Sequence, residues 1–150
     1  MLSVVILASE PKPLAGLLAR LTSGAVDGLV RQVIVAAPIR EGLVDELCEE
    51  TGADWAPSLN EAFVRTNSDW LLVVPADFRL RAGWIAALRD HLMSRRGAGL
   101  VRGETSDSLL AFLRARPFGV LVEATRARRV GEADLQGLRR ELGSAAGWLG

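Results

Sequence analysis

Asp77 closes an apolar run, Leu71-Leu72-Val73-Val74-Pro75-Ala76, and Arg79 and Arg81 follow it at alternate positions. A carboxylate at the exit of a buried strand stands where ligands bind, and guanidinium groups grip phosphate oxygens bidentately. The plainer alternative makes Asp77 an Asx-turn residue and the two arginines solvated loop residues. Ser9 and Glu10 line the exit of another apolar run, Leu2 to Ala8, or simply turn the chain into Pro11. Glu132 and Asp134 precede a helical pattern, where acids favour the helix dipole; a carboxylate base is the sharper reading of the same pair. His91 is the only histidine and has no Cys or His at ligand spacing, so neither a metal role nor an acid–base role is expected of it. Cys48 shares a helical face with Val44 and Leu47 and reads as a core thiol. With one histidine no Ser-His-Asp order is supported, and no glycine-rich phosphate loop is present.

The elements that would position these groups follow from periodicity. Leu2 to Ala8, Val33 to Ala37 and Trp70 to Val74 are continuous apolar runs, the pattern of strands covered on both faces. Leu14, Leu17, Leu18 and Leu21 recur at i, i+3, i+4 and i+7 and predict an amphipathic helix. Further helices are expected over Glu41 to Thr51, stopped by Gly52, and after Ser58, with Glu61 completing a capping box. Ala82 to Met93, Ser108 to Arg114 and Asp134 to Leu142 read as helices, and Ala53 to Ala56, Gly99 to Arg102 and Phe118 to Val122 as short strands. The Gly- and Arg-rich stretch Ser94 to Gly103 is also the best candidate for a flexible loop. Trp55, Trp70 and Trp84 are expected as core or pocket walls, and Arg126, Arg128 and Arg129 as a solvated face. Alternating strands and helices give an α/β domain: three layers, doubly wound, with a mostly parallel sheet. Ligands then sit outside the carboxyl ends of the strands, which selects Ala8 to Glu10, Ala36 to Pro38 and Pro75 to Phe78.

Composition narrows the function classes. The chain has 150 residues, 49% hydrophobic and 24% charged, which fits a single globular domain with a sizeable core. Lys+Arg and Asp+Glu both total 18, so the surplus of cations on which nucleic-acid binding rests is missing. The first apolar run has no basic flank and is far shorter than the ~20 residues of a membrane span. A cytoplasmic protein without a transmembrane segment is expected.

Three pieces, in order, resemble the N-terminal half of family 2 glycosyltransferases with the GT-A fold. Leu2 to Ala8 is similar to the family's first strand, whose following loop receives the nucleotide base. Val33-Ile34-Val35-Ala36-Ala37 stands where the family has a strand ending in one or two aspartates. Ser68 to Trp84 matches best, where the family runs a Gly-Asp-aromatic strand into an Asp-x-Asp motif and a Pro-Gly-Trp-like helix start. Gly131-Glu132-Ala133-Asp134-Leu135 is a looser fourth match to an acidic pair followed by Asp-Leu. The resemblance implies transfer of a sugar from a nucleotide-diphospho-sugar to an acceptor hydroxyl. It implies donor contacts at Ala8, Ser9, Glu10, Ala37, Asp77, Arg79 and Arg81, and a catalytic base at Glu132 or Asp134. It also implies magnesium or manganese at Asp77.

The departures are as informative. Pro75 replaces the first acid of Asp-x-Asp, Ala36 or Ala37 replaces the acid ending the second strand, and the base position falls on Ala133 or Glu132. Metal binding is therefore expected to be weak, and transfer reduced or lost. The alternative is a non-catalytic relic of the same fold that keeps a nucleotide pocket or acts through a protein partner or a second copy of itself. A receiver domain would need an acidic pair after the first strand, and a sugar nucleotidyltransferase a Gly-rich basic loop there. Ala8-Ser9-Glu10 and Glu10-Pro11-Lys12-Pro13 are neither.

Overall fold

The computed structural model describes residues 2–8, 13–94, 97–103, 118–130, 134–142 and 147–149. In chain order the elements are β1 (Leu2–Leu7), α1 (Leu14–Val26), β2 (Val30–Ala36), α2 (Leu43–Thr51), β3 (Asp54–Ala56), α3 (Leu59–Arg65) and β4 (Trp70–Pro75). They continue with α4 (Trp84–Met93), β5 (Gly99–Arg102), β6 (Phe118–Glu123), α5 (Ala124–Arg128), α6 (Leu135–Leu142) and β7 (Gly147–Leu149).

All the described strands join one seven-stranded sheet in the order β3-β2-β1-β4-β6-β5-β7. The three continuous apolar runs are neighbours, as expected: β1 lies parallel between β2 and β4, and Leu7 faces both Ala36 and Pro75. β3 extends this parallel block beyond β2. β6 runs against both of its neighbours, β4 and β5, while β7 is parallel to β5. Period-two alternation sends Leu2, Val4 and Ile6 of β1 into one core with the buried faces of α1 and α2. Val5 enters the opposite core with Ile34, Phe63 of α3 and Leu138 of α6. The sheet is thus covered on both faces.

Local signals explain most helix ends. Leu14, Leu17, Leu18 and Leu21 are all buried, as their spacing requires. The Ser58 hydroxyl accepts the Glu61 amide at 3.2 Å and caps α3. Gly52 ends α2 in the left-handed region (φ +74), its amide bonded to the Cys48 carbonyl at 3.0 Å. Several boundaries differ from the sequence pattern. α4 begins at Trp84 rather than Ala82, because Gly83 (φ +79) turns the chain the wrong way for a helix. α2 begins at Leu43 rather than Glu41, after Gly42 in a non-helical conformation. Gly99 to Arg102 is a strand of the sheet, not part of a loop. α5 and β7 were not foreshadowed, and the helix expected over Ser108 to Arg114 lies outside the described residues.

β3 is an edge strand. Its Ala56 carbonyl points inward and accepts the Ala37 amide, while the outward Trp55 carbonyl accepts the Arg65 guanidinium of α3. No helix among the described residues is long and apolar enough to cross a membrane.

Candidate functional site

The parallel block brings three strand exits to one rim. Beyond the last register pairs the ladder continues for one more step: the Ala8 amide donates to the Ala36 carbonyl (2.9 Å) and the Ala76 amide to the Leu7 carbonyl (3.0 Å). The Ala37 amide donates to the Ala56 carbonyl (3.0 Å), and the Trp55 indole N–H donates to the Ala37 carbonyl (3.0 Å). Ala8, Ala37 and Ala76 are buried and belong to the core shared with α1 and α2. Asp77 follows on the exit of β4 and is exposed. Ala8, Ala37 and Asp77 therefore lie on adjacent strand exits at one edge. Ser9 and Glu10, expected beside them, lie outside the described residues.

The β4 exit loop alternates in and out. Phe78 and Leu80 are buried to within 2% and 1% of full coverage, whereas Asp77, Arg79 and Arg81 are exposed. Burying two large apolar side chains anchors the loop, by roughly 1.5–3 kcal/mol each, and leaves the polar side chains in solvent. Three further contacts fix it. The Phe78 amide donates to the Pro75 carbonyl (3.1 Å), and Arg20 of α1 donates to the Leu80 carbonyl (2.8 Å). At the exit of β5, a Cβ on Gly103 would lie 3.1 Å from the Phe78 ring and 3.2 Å from the Arg79 carbonyl. A side chain at this position would have to push the Phe78 ring and the loop back by a few tenths of an ångström. On the far side, Trp84 lays its indole over Gly24 of α1. The loop is a rigid mount for one carboxylate and two guanidinium groups. Phe78 was selected only as part of the β4 exit, and the anchoring roles of Phe78, Leu80, Arg20 and Gly103 escaped the sequence reading; the period-two alternation from Asp77 to Arg81 was the available signal for the first two.

The remaining candidates divide. Asp134 is described, and its Oδ1 accepts the Gly137 amide, which makes it the N-cap of α6. Glu132 lies outside the described residues. Arg139 of α6 stacks its guanidinium 5.1 Å from the centre of the Phe118 ring, at the start of β6 beside the end of β5. His91 is a packing residue: it is buried, and Nε2 donates to the Gly97 carbonyl at 2.7 Å. Its Nδ1 has no partner among the described residues. Cys48 is buried in the α1–α2 core as expected, and burial pushes its thiol above the ordinary range. Arg128 is exposed, as expected of the Arg126–Arg129 run, but its guanidinium is also engaged. It donates to the Phe63 and Thr66 carbonyls and the Thr66 hydroxyl, all near 3.0 Å, and closes the end of α3.

A divalent cation is not matched by this donor set. Hard cations take six or more oxygens, and among the described residues no three His, Cys, Asp or Glu side chains come together. At the three described strand exits, Asp77 alone supplies a carboxylate.

Two pockets lined by described residues open to solvent. One of about 420 Å³ lies between α1 and α2 at the amino ends of the strands, lined by Val30, Arg31, Gln32, Val33 and Asp54 among others. It is at the opposite end of the sheet from the rim, so its size does not make it the site. The other, of about 190 Å³, lies directly behind the β4 exit loop.

No known family's sequence profile and no curated protein sequence matches this chain. Solved structures do match. Mannosyl-3-phosphoglycerate synthase from Rubrobacter xylanophilus is 13% identical with a TM-score of 0.58, over 83% of this chain and 53% of that one. Glucosyl-3-phosphoglycerate synthase from Mycobacterium tuberculosis, solved with Mn2+, UDP and glucosyl-3-phosphoglycerate, is 18% identical with a TM-score of 0.58, over 83% and 57%. A further structure of the M. tuberculosis enzyme aligns over 99% of this chain and 70% of that one, at 17% identity and a TM-score of 0.67. The chain spans little more than half the length of the first of these structures. At such identities the likeness is one of architecture: the chain has the GT-A-type α/β fold of these structures.

Proposed function

We propose that this chain binds a nucleotide-diphospho-sugar at the carboxyl rim of its sheet, as a glycosyltransferase-like protein whose transfer activity is reduced or lost. The observation that carries the proposal is the anchored β4 exit loop, which projects Asp77, Arg79 and Arg81 beside the Ala8 and Ala37 exits. With the metal's donor set incomplete, Arg79 and Arg81 are the groups left to neutralise the diphosphate. Losing one of two anionic ligands from an exposed cation site costs about 1.5–3 kcal/mol, or roughly ten- to a hundredfold in affinity. In the transfer step the acceptor hydroxyl oxygen bonds to the anomeric carbon. The bond from that carbon to the diphosphate breaks, its electron pair leaving with the nucleotide, and the hydroxyl proton passes to a carboxylate, with inversion. Glu132 and Asp134 are the two carboxylates we assign to that position. The M. tuberculosis synthase has also been solved with phosphoglyceric acid, which makes that the first acceptor to try.

Calorimetric titration with UDP and UDP-glucose, with and without Mn2+, tests the proposal. Metal-free binding that Arg79→Ala abolishes supports the arginine route. Binding only by Pro75→Asp, and only with Mn2+, identifies a decayed metal site. A second reading, a non-catalytic domain acting through a partner, is favoured by one observation: the Asp134 carboxylate already caps α6. Absence of nucleotide binding in both proteins would decide for it.

A further inference from the structure

The cavity behind the β4 exit loop has a composition that the nucleotide-sugar reading does not use. Phe78 and Leu80 form its inner wall from the loop, Trp84 and Leu88 its α4 side, and Val101 its β5 side. All five are apolar. The polar residues lining it, Arg81 and Arg102, each have interactions of their own. The pocket opens to solvent on one side, and water against its apolar walls is readily displaced by an apolar group. The space is about 190 Å³, somewhat more than the roughly 150 Å³ apolar cavity known to take up benzene. Two of its walls are aromatic, and rings pack against rings in edge-to-face or offset geometry with a gain beyond buried area.

The walls are also stiff. Phe78 is held by the close approach of Gly103, Leu80 by Arg20 on its carbonyl, and Trp84 by its seat over Gly24. A pocket whose walls are held in place keeps its shape before a ligand arrives, so little ordering is left for binding to offset.

We infer that this cavity is a binding site for a compact aromatic ring, of benzene to toluene size, seated behind the loop that carries Asp77, Arg79 and Arg81. The inference is independent of nucleotide binding, because none of its five apolar walls faces the rim with a polar group. An occupant packs directly against Phe78 and Leu80, the two anchors of the loop, so it stiffens the mount for the exposed charges.

Titration of the full chain with toluene, followed by the indole N–H resonance of Trp84 in 1H–15N spectra and by thermal melting, is the test. A saturable shift of that resonance and a higher melting temperature are expected. Ala87→Leu, which grows into the cavity from the half-buried face of α4, is expected to weaken binding tenfold or more while leaving nucleotide titrations as they are in the parent. Should that variant fail to fold, Val101→Ile adds a single methyl group from the β5 wall and is expected to weaken binding several-fold. The inference is overturned if no saturable shift occurs up to the solubility limit of toluene. It is equally overturned if the folded variant binds as the parent does, or if the shifts appear at Val33 and Ala53 in the groove between α1 and α2.

Discussion

Gly24 sits in the last turn of α1, where glycine costs a helix at most about 1 kcal/mol relative to alanine. Gly24→Ala should nonetheless destabilise the protein. An added Cβ would stand 2.4 Å from the tip of the Trp84 indole and 2.8 Å from a Val30 methyl carbon, both well inside contact distance. Val30 is buried in the sheet and cannot yield, and Trp84 is tied to the start of α4. Overpacking of this kind typically costs 1–3 kcal/mol, and two simultaneous overlaps place it toward the upper end. Subtracting the gain in helix propensity leaves a net loss of about 1–2 kcal/mol. At roughly 2–4 °C per kcal/mol for a chain of this size, that is a fall of about 2–8 °C in melting temperature. Gly16 is the internal control: it lies in the same helix, and a Cβ there meets nothing within 4 Å. Gly16→Ala should raise stability by up to about 1 kcal/mol. Urea denaturation of the two variants beside the parent reads both signs. A Gly24→Ala protein as stable as Gly16→Ala would refute the argument that the indole seat is rigid.

Other consequences are testable in the same way. Gln32 accepts from the Ser3 hydroxyl (3.1 Å) and the Asn67 amide (3.2 Å), and donates to Asp54 (3.1 Å) and the Arg65 carbonyl (3.3 Å). Gln32→Leu should therefore cost about 1–3 kcal/mol in urea denaturation, and a loss within about 0.5 kcal/mol would mean the network is ornamental. Arg128→Met keeps the aliphatic stem but removes three hydrogen bonds from the end of α3, with an expected loss of about 1–2 kcal/mol that Arg128→Lys does not recover. The Cys48 thiol is raised by burial, so the folded chain holds its proton to higher pH than the unfolded chain does. Its contribution to stability is complete below the ordinary thiol range and declines as pH rises through the folded value. Denaturation midpoints across pH 7 to 10 should accordingly fall less in Cys48→Ala than in the parent, and iodoacetamide should label the native thiol slowly at pH 8 but rapidly in denaturant.

Much of this architecture was written in hydrophobic patterning. Continuous runs such as Val4 to Leu7 and Leu71 to Val74 can only be strands covered on both faces, and alternation with helices then forces them parallel. Direction in the second half was not legible. Phe118 to Val122 reads as a buried strand either way round, and its antiparallel pairing with β4 has no local signature. β7 is three residues long, too short for any period to register. The role of Arg128 in α5 was hidden for a different reason: it is exposed, as it reads, but its partners, the carbonyls of Phe63 and Thr66, are more than sixty positions away. At the rim, strand exits were predictable from the topology, and Ala8, Ala37 and Asp77 fall together accordingly. The stiffness of the loop was not, since it depends on Arg20 and Gly103, which carry no local sign of what they touch.

The covered carbonyl of Trp55 bears on how the molecule behaves in company. A three-residue border strand exposes one peptide unit for an incoming chain to read, and the acceptor half of that unit is already occupied by Arg65. A stray extended segment gains little from aligning there, so templated growth of fibrils has no purchase on that flank. Concentrated solutions of the protein are protected on that side by a single guanidinium group, at the level of one backbone oxygen.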